Sequence, residues 1–230
     1  MDSFSDTARR LIFTLVPMIL SLSVHECAHA LSAYWLGDNT AKDAGRLTLN
    51  PQAHVDPVGT LLIPGLAAVM GGAPFIGWAR PTPFRADRFR EGVNRRFGSA
   101  IVAAAGPISN VLLAFLAIGL YAGLARAHVS LHDMVREGDE LTERPNGVAV
   151  LLLTMFQLNL GLAFFNLLPI PPLDGHRLMP PQLDAIMRPV ARYGFLALMG
   201  VMFLLPKVAN MVLYEPIRYI TNHVAAWFLG

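Results

Sequence analysis

Two stretches of this chain, residues 99–125 and 147–173, each run for 27 residues without a charged side chain. A helix needs roughly 20 predominantly apolar residues to cross a bilayer, and in hydrocarbon only helices and closed barrels satisfy their own backbone polar groups. Both stretches are therefore predicted to be membrane-spanning helices. Composition agrees: 54% of residues are hydrophobic and 15% charged, and the mean hydropathy of +0.47 is too high for an ordinary soluble domain. The formal net charge is only +2. Basic residues are scattered in the connections, never more than two in a row, which argues against a nucleic-acid surface.

A further apolar stretch, residues 11–36, contains His25-Glu26-Cys27-Ala28-His29. On a helix His25 and His29 stand one turn apart, about 40° around the axis, so both rings can reach one metal ion. Glu26 projects from a neighbouring part of that face, where a general base would sit beside a metal-bound water. Ionisable side chains are costly at membrane depth, so such a cluster points to function. Cys27, the only cysteine, lies roughly 200° from His25 and turns away from the pair. Arg9-Arg10, the apolar run and Ala28-His29-Ala30 together imitate a secretory signal with its cleavage site. The apolar run continues to Leu36, so the segment is expected to stay as an uncleaved first helix.

Residues 58–79 are also uncharged, but Pro64-Gly65, Gly71-Gly72 and Pro74 interrupt them, which suggests a re-entrant element in place of a crossing. The positive-inside rule gives 11 basic residues against 5 whether or not this segment spans, and both topologies place the loops 80–96 and 177–192 in the cytoplasm. Residues 193–206 continue past Lys207 to Tyr214 as a candidate fourth span with a kink at Pro206, and 217–229 reads as an amphipathic or partly buried helix. Alternation bounded by Pro and Gly at 45–49 and 74–81 reads either as two brief strands, the second an edge able to hold an extended substrate, or equally as plain loop with some β character.

A catalytic zinc takes three protein ligands and keeps one position for water. Asp174 is the best third candidate. It follows Asn166-Leu-Leu-Pro169-Ile-Pro171-Pro172-Leu173, where prolines end the helix and present a carboxylate. His54 and His176 are alternative donors, and His54 otherwise orders its loop or supports the site. Asn110 and Asn166 are candidates for hydrogen bonds to the ligands, the substrate or an oxyanion, with interhelical packing as the equal alternative.

Three motifs in this order carry a resemblance: H-E-x-x-H in a first apolar helix, Gly106-Pro107-Ile108-Ser109-Asn110 in a later one, and N-x-x-P-x-P-P-L-D-G at residues 166–175. Together they resemble the site-2 protease family of intramembrane zinc metalloproteases over roughly residues 20–180. Asn50-Pro51, Asp56-Pro57-Val58-Gly59 and Gly77-Trp78-Ala79-Arg80-Pro81 are similar to its small, single-domain bacterial branch. The resemblance implies an all-α polytopic membrane protein with a three-helix core and parallel metal-site helices, with a small β hairpin or re-entrant segment between the first and second core helices. It implies Zn2+ held by His25, His29 and Asp174, with Glu26 as general base, acting on a membrane-protein or peptide substrate in the bilayer of a bacterial inner membrane. A single domain is expected over 1–230, its core at about 8–180 and further C-terminal helices at 190–229, with no extra helix ahead of the motif helix. The rival expectations are a catalytically silent membrane scaffold or substrate-binding module of the same fold and, more weakly, a metal transporter.

Overall fold

The computed structural model describes residues 4–69, 77–137, 140–183, 193–194, 200, 207, 211 and 215–229. Three helices are long and apolar enough to cross a membrane among these: α1 (Phe4–Trp35), α4 (Arg95–Arg126) and α5 (Gly147–Asn166). Between α1 and α4 lie two short helices, α2 (Thr40–Asp43) and α3 (Ile63–Val69), and a last helix, α6, covers Glu215–Leu229. The chain is thus an all-α, polytopic membrane fold.

Capping asparagines begin two of the long helices. Asn94 Oδ1 accepts from the amides of Arg96 and Phe97, and Asn146 Oδ1 from that of Ala149, so donors that no helical carbonyl reaches are satisfied. On α4 the buried positions are mostly small, among them Gly98, Ala103, Gly106, Ala114, Ala117 and Ala122, while Ile108, Leu112, Leu116 and Leu120 form an exposed apolar row. Small residues inside and large apolar residues outside are what a helix needs to pack closely on its neighbours and still face lipid.

Side-chain pairings set the helix directions. His29 meets Val102 and His25 meets Asn110, so moving back along α1 means moving forward along α4. Asn110 meets Asn159, while Phe156 packs with Ala114, Ala117 and Ile118. Hence α4 runs antiparallel to both of its partners, and α1, which carries the two candidate histidine donors, runs parallel to α5, which leads into the segment carrying Asp174.

This arrangement leaves no crossing between α1 and α4, and the intervening chain shows why. Asp56 caps a turn of π-helix, Pro57–Leu62, by accepting from Val58 N–H and Gly59 N–H, and α3 follows directly; the apolar run Pro57–Val69 is too short to span. The chain is then back at its own starting level, because Trp78 N–H donates to Gly59 O (3.1 Å) and Thr60 Oγ1 to Trp78 O (2.8 Å). The segment is re-entrant. A Cβ on Gly59 would run into the Trp78 ring, so glycine is what allows this return to close.

The strand expected at 45–49 is absent. Arg46 N–H donates to Ala41 O, and the Thr48 groups are taken by Asn50 N–H and His54 Nε2, so local bonds replace a ladder. Of the second expected strand, residues 74–76 lie outside the described residues, and Gly77–Pro81 joins no sheet. The hairpin that exists lies elsewhere, between α4 and α5: β1 (His132–Glu137) pairs antiparallel with β2 (Glu140–Pro145), from His132 opposite Pro145 to Glu137 opposite Glu140. The candidate fourth span, 193–214, falls almost wholly outside the described residues.

Candidate metal centre

His25 and His29 are both buried on the inward face of α1, and the proline-rich chain after α5 brings Asp174 onto them. The three donor atoms form a nearly equilateral triangle: His25 Nε2 to His29 Nε2 is 3.0 Å, His25 Nε2 to Asp174 Oδ2 3.2 Å and His29 Nε2 to Asp174 Oδ2 3.3 Å. In a tetrahedral zinc site with bonds of about 2.0–2.1 Å, neighbouring donors stand roughly 3.3–3.4 Å apart. The triangle therefore fits that ion almost without adjustment.

Outer atoms orient both rings. Val102 O lies 2.6 Å from His29 Nδ1, and a carbonyl only accepts, so Nδ1 carries a proton and Nε2 is the nitrogen presented to Asp174 and to a metal. His25 Nδ1 pairs with Asn110 Oδ1 at 2.7 Å. A further constraint comes from Gly106: a Cβ there would stand 2.5 Å from His25 Cε1 and His29 Nε2 and 2.6 Å from His25 Nε2. The absence of a side chain at Gly106 is what lets α4 approach the donors.

Glu26, also buried, is held from a different direction. Thr82 N–H donates to its Oε2 (2.8 Å) and Thr82 Oγ1 to its backbone carbonyl (3.1 Å). Between Pro81 and Pro83, Thr82 has the one backbone donor of that tripeptide. The strap carrying it is tied down along its length, by Arg80 N–H on His54 O, Arg85 N–H on buried Asp38 (2.6 Å) and Arg90 N–H on Leu36 O. Asp87 completes it at the surface, where the Arg85 guanidinium holds its carboxyl below the usual range. Beside Asp174, burial pushes the Arg177 guanidinium down from its ordinary value, and its charge rests over the Phe84 ring.

The other candidates lie outside the triangle. His54 is buried, with Nε2 on Thr48 O and no partner for Nδ1 among the described residues, and its carbonyl anchors the strap. His176 Nδ1 turns to Leu173 O, and Asn166 Nδ2 to Leu162 O on its own helix. Asn110 reaches a candidate ligand; Asn166 bonds its own helix instead. Thr82 and Asn159 escaped sequence reasoning, and Gly106 stands there only as part of a motif, without its role beside the histidines. Only Gly106 carried a signal, a glycine beside a proline inside an uncharged helix.

The model of "Peptidase family M50" matches residues 13–206. Among curated proteins the chain is 40% identical over 198 residues, 84% of this chain and 81% of the relative, to "Putative zinc metalloprotease YwhC" of Bacillus subtilis (strain 168). It is also 30% identical over 209 residues, 89% of this chain and 71% of the relative, to "Putative zinc metalloprotease Rip2" of Mycolicibacterium smegmatis. No solved structure matches significantly.

Proposed function

The chain belongs to peptidase family M50, and on that premise we propose that it is an intramembrane zinc metalloendopeptidase that hydrolyses peptide bonds of membrane-embedded or membrane-adjacent polypeptides. The observation that carries this reading is the convergence of His25 and His29 on α1 with Asp174 on the proline-rich segment after α5, with Glu26 adjacent on α1. His25, His29 and Asp174 hold the zinc. Bound there, zinc supplies Lewis acidity, which acidifies water and polarises a peptide carbonyl.

The chain's own groups do the rest. Glu26 takes a proton from the attacking water and returns it to the leaving amine. Thr82 N–H occupies Oε2, so it aims the carboxylate and leaves Oε1 for the proton transfer. A spanning substrate helix satisfies its own backbone, so it must unwind before a carbonyl can reach the site; helix-breaking residues near the cut favour cleavage. The domain is a single membrane unit of a bacterial plasma membrane. Its basic end, with Arg80, Arg85, Arg88, Arg90, Arg95, Arg96 and Arg177, faces the cytoplasm.

The test is purified protein with and without Glu26→Gln. Wild type should contain one zinc per chain and cleave a membrane-protein substrate. Glu26→Gln should keep the zinc and lose roughly 10²–10⁴-fold in rate, the share that general acid–base catalysis contributes. A zinc-loaded wild type as slow as Glu26→Gln would instead favour a catalytically silent scaffold.

A further inference from the structure

The two rings of the metal centre are not oriented in the same way. His29 is fixed by a carbonyl, which has one hydrogen-bonding sense. His25 faces the side-chain amide of Asn110, which has two. With Oδ1 toward the ring, His25 Nδ1 carries the proton and Nε2 offers a lone pair to a metal. With the amide reversed, Nδ1 accepts, and the proton moves to Nε2, 3.0 Å from Nε2 of His29. The two histidines would then be hydrogen-bonded to each other across the space a metal needs.

What chooses between these states lies on the third helix. Asn110 Nδ2 donates to Asn159 Oδ1 at 3.1 Å, and Asn159 Nδ2 donates both to Met155 O and to Ser21 Oγ, each at 2.8 Å. Asn110, Asn159 and Ser21 are all fully buried, so water cannot substitute for a lost partner. Met155 O is a backbone carbonyl and can only accept, so the nitrogen of Asn159 must face it. Asn159 Oδ1 must then face Asn110, the nitrogen of Asn110 must face Asn159, and its oxygen must face His25.

We propose that Asn159 is a positioning residue that sets the tautomer of His25: the one-way Met155 carbonyl on α5 is transmitted through two asparagine amides to keep His25 Nε2 unprotonated and competent to bind zinc. This rests on the proposed zinc site. It gives Asn159, whose side chain bonds Asn110, Ser21 and Met155 and none of the three donors, control over metal retention, and it gives α5 a hold on the centre in addition to the Asp174 segment that follows it.

The experiment measures zinc release from purified full-length protein to an excess of chelator, with thermal unfolding recorded on each preparation. Asn159→Leu removes the acceptor that orients Asn110 and should speed zinc release by about 10–100-fold, the effect expected if Asn110, the outer partner of His25, loses its hold; Asn159→Ala gives the same reading if the leucine variant does not fold. Asn159→Asp should restore release to within about threefold of wild type. Protonated in this buried place, it donates to Met155 O and accepts from Asn110; ionised, it still accepts from Asn110. The sharper arm adds Asn110→Asp to Asn159→Leu: a carboxylate has no wrong orientation toward His25, so slow release should return although Asn159 is still missing. Fast release in that folded double variant, or wild-type release in Asn159→Leu, overturns the proposal. Wild-type protein that binds no zinc at all overturns the zinc site itself, a separate outcome.

Discussion

Gly106→Ala adds one methyl group at the centre of the site. Its carbon would lie 2.5–2.6 Å from three ring atoms of His25 and His29, against roughly 3.5 Å for an unstrained contact, an overlap of about 1 Å. Relief by moving α4 outward is closed off. Val102 O and Asn110 Oδ1, which hold the two rings at 2.6 and 2.7 Å, sit on that same helix, so withdrawing Gly106 also withdraws both. Turning the rings aside instead breaks the triangle with Asp174. Overpacking of this kind costs about 1–3 kcal/mol, and if that cost falls on the metal-bound state it weakens zinc retention about 5- to 150-fold. Gly119→Ala on the same helix is the control, because a Cβ there meets nothing within 4 Å among the described residues. It should leave zinc unchanged and, by relieving helical glycine, hold or slightly raise the thermal midpoint. The assay is zinc competition against a chelator of known affinity, with cleavage measured in parallel. Wild-type zinc affinity and wild-type cleavage in Gly106→Ala would refute the claim that the missing side chain makes room for the donors.

Thr82→Pro deletes the N–H on Glu26 Oε2 within a stretch already flanked by prolines, and should lower cleavage by about tenfold or more with zinc retained, whereas Thr82→Val, which keeps the N–H, should stay close to wild type; equal rates in both variants would remove Thr82 from the mechanism. Because Arg85 holds the Asp87 carboxyl below its ordinary value of 3.8, the pair stabilises the fold above that pH and the contribution disappears as pH falls through the depressed value. Asp87→Asn should therefore slightly lower the thermal midpoint at neutral pH and match wild type in strong acid, a difference small enough to need a differential scan because both groups are exposed. In a Cys27→Ser background, a cysteine introduced by Arg88→Cys should resist an impermeant reagent applied outside intact cells; labelling from outside would invert the proposed topology.

The parts of this protein that were legible in the sequence are those whose signal is local. An i, i+4 pair on an apolar helix places His25 and His29 on one face whatever surrounds them, and uncharged runs of 27 residues imply spanning helices by length alone. Prolines at 169, 171 and 172 end α5 and free Asp174; Pro64-Gly65, read as a break, instead lies inside α3, and the segment fails to cross because its apolar run Pro57–Val69 is short. Other features depended on where distant segments meet. His54, His176 and Asp174 are all plausible donors in a linear reading, and only the fold shows which one shares a triangle with α1. An asparagine in an apolar helix reads equally as packing or as function, so Asn110 and Asn166 could not be told apart until one faced His25 and the other its own helix. The base's partner, Thr82, lies 56 residues from Glu26, and Asn159 stands 138 residues from Ser21. No periodicity links positions so far apart; their alignment comes from antiparallel packing of α4 between two parallel helices. The sequence by itself determined which atoms are available for chemistry, and tertiary structure decided which of them converge and which way each buried hydrogen bond points.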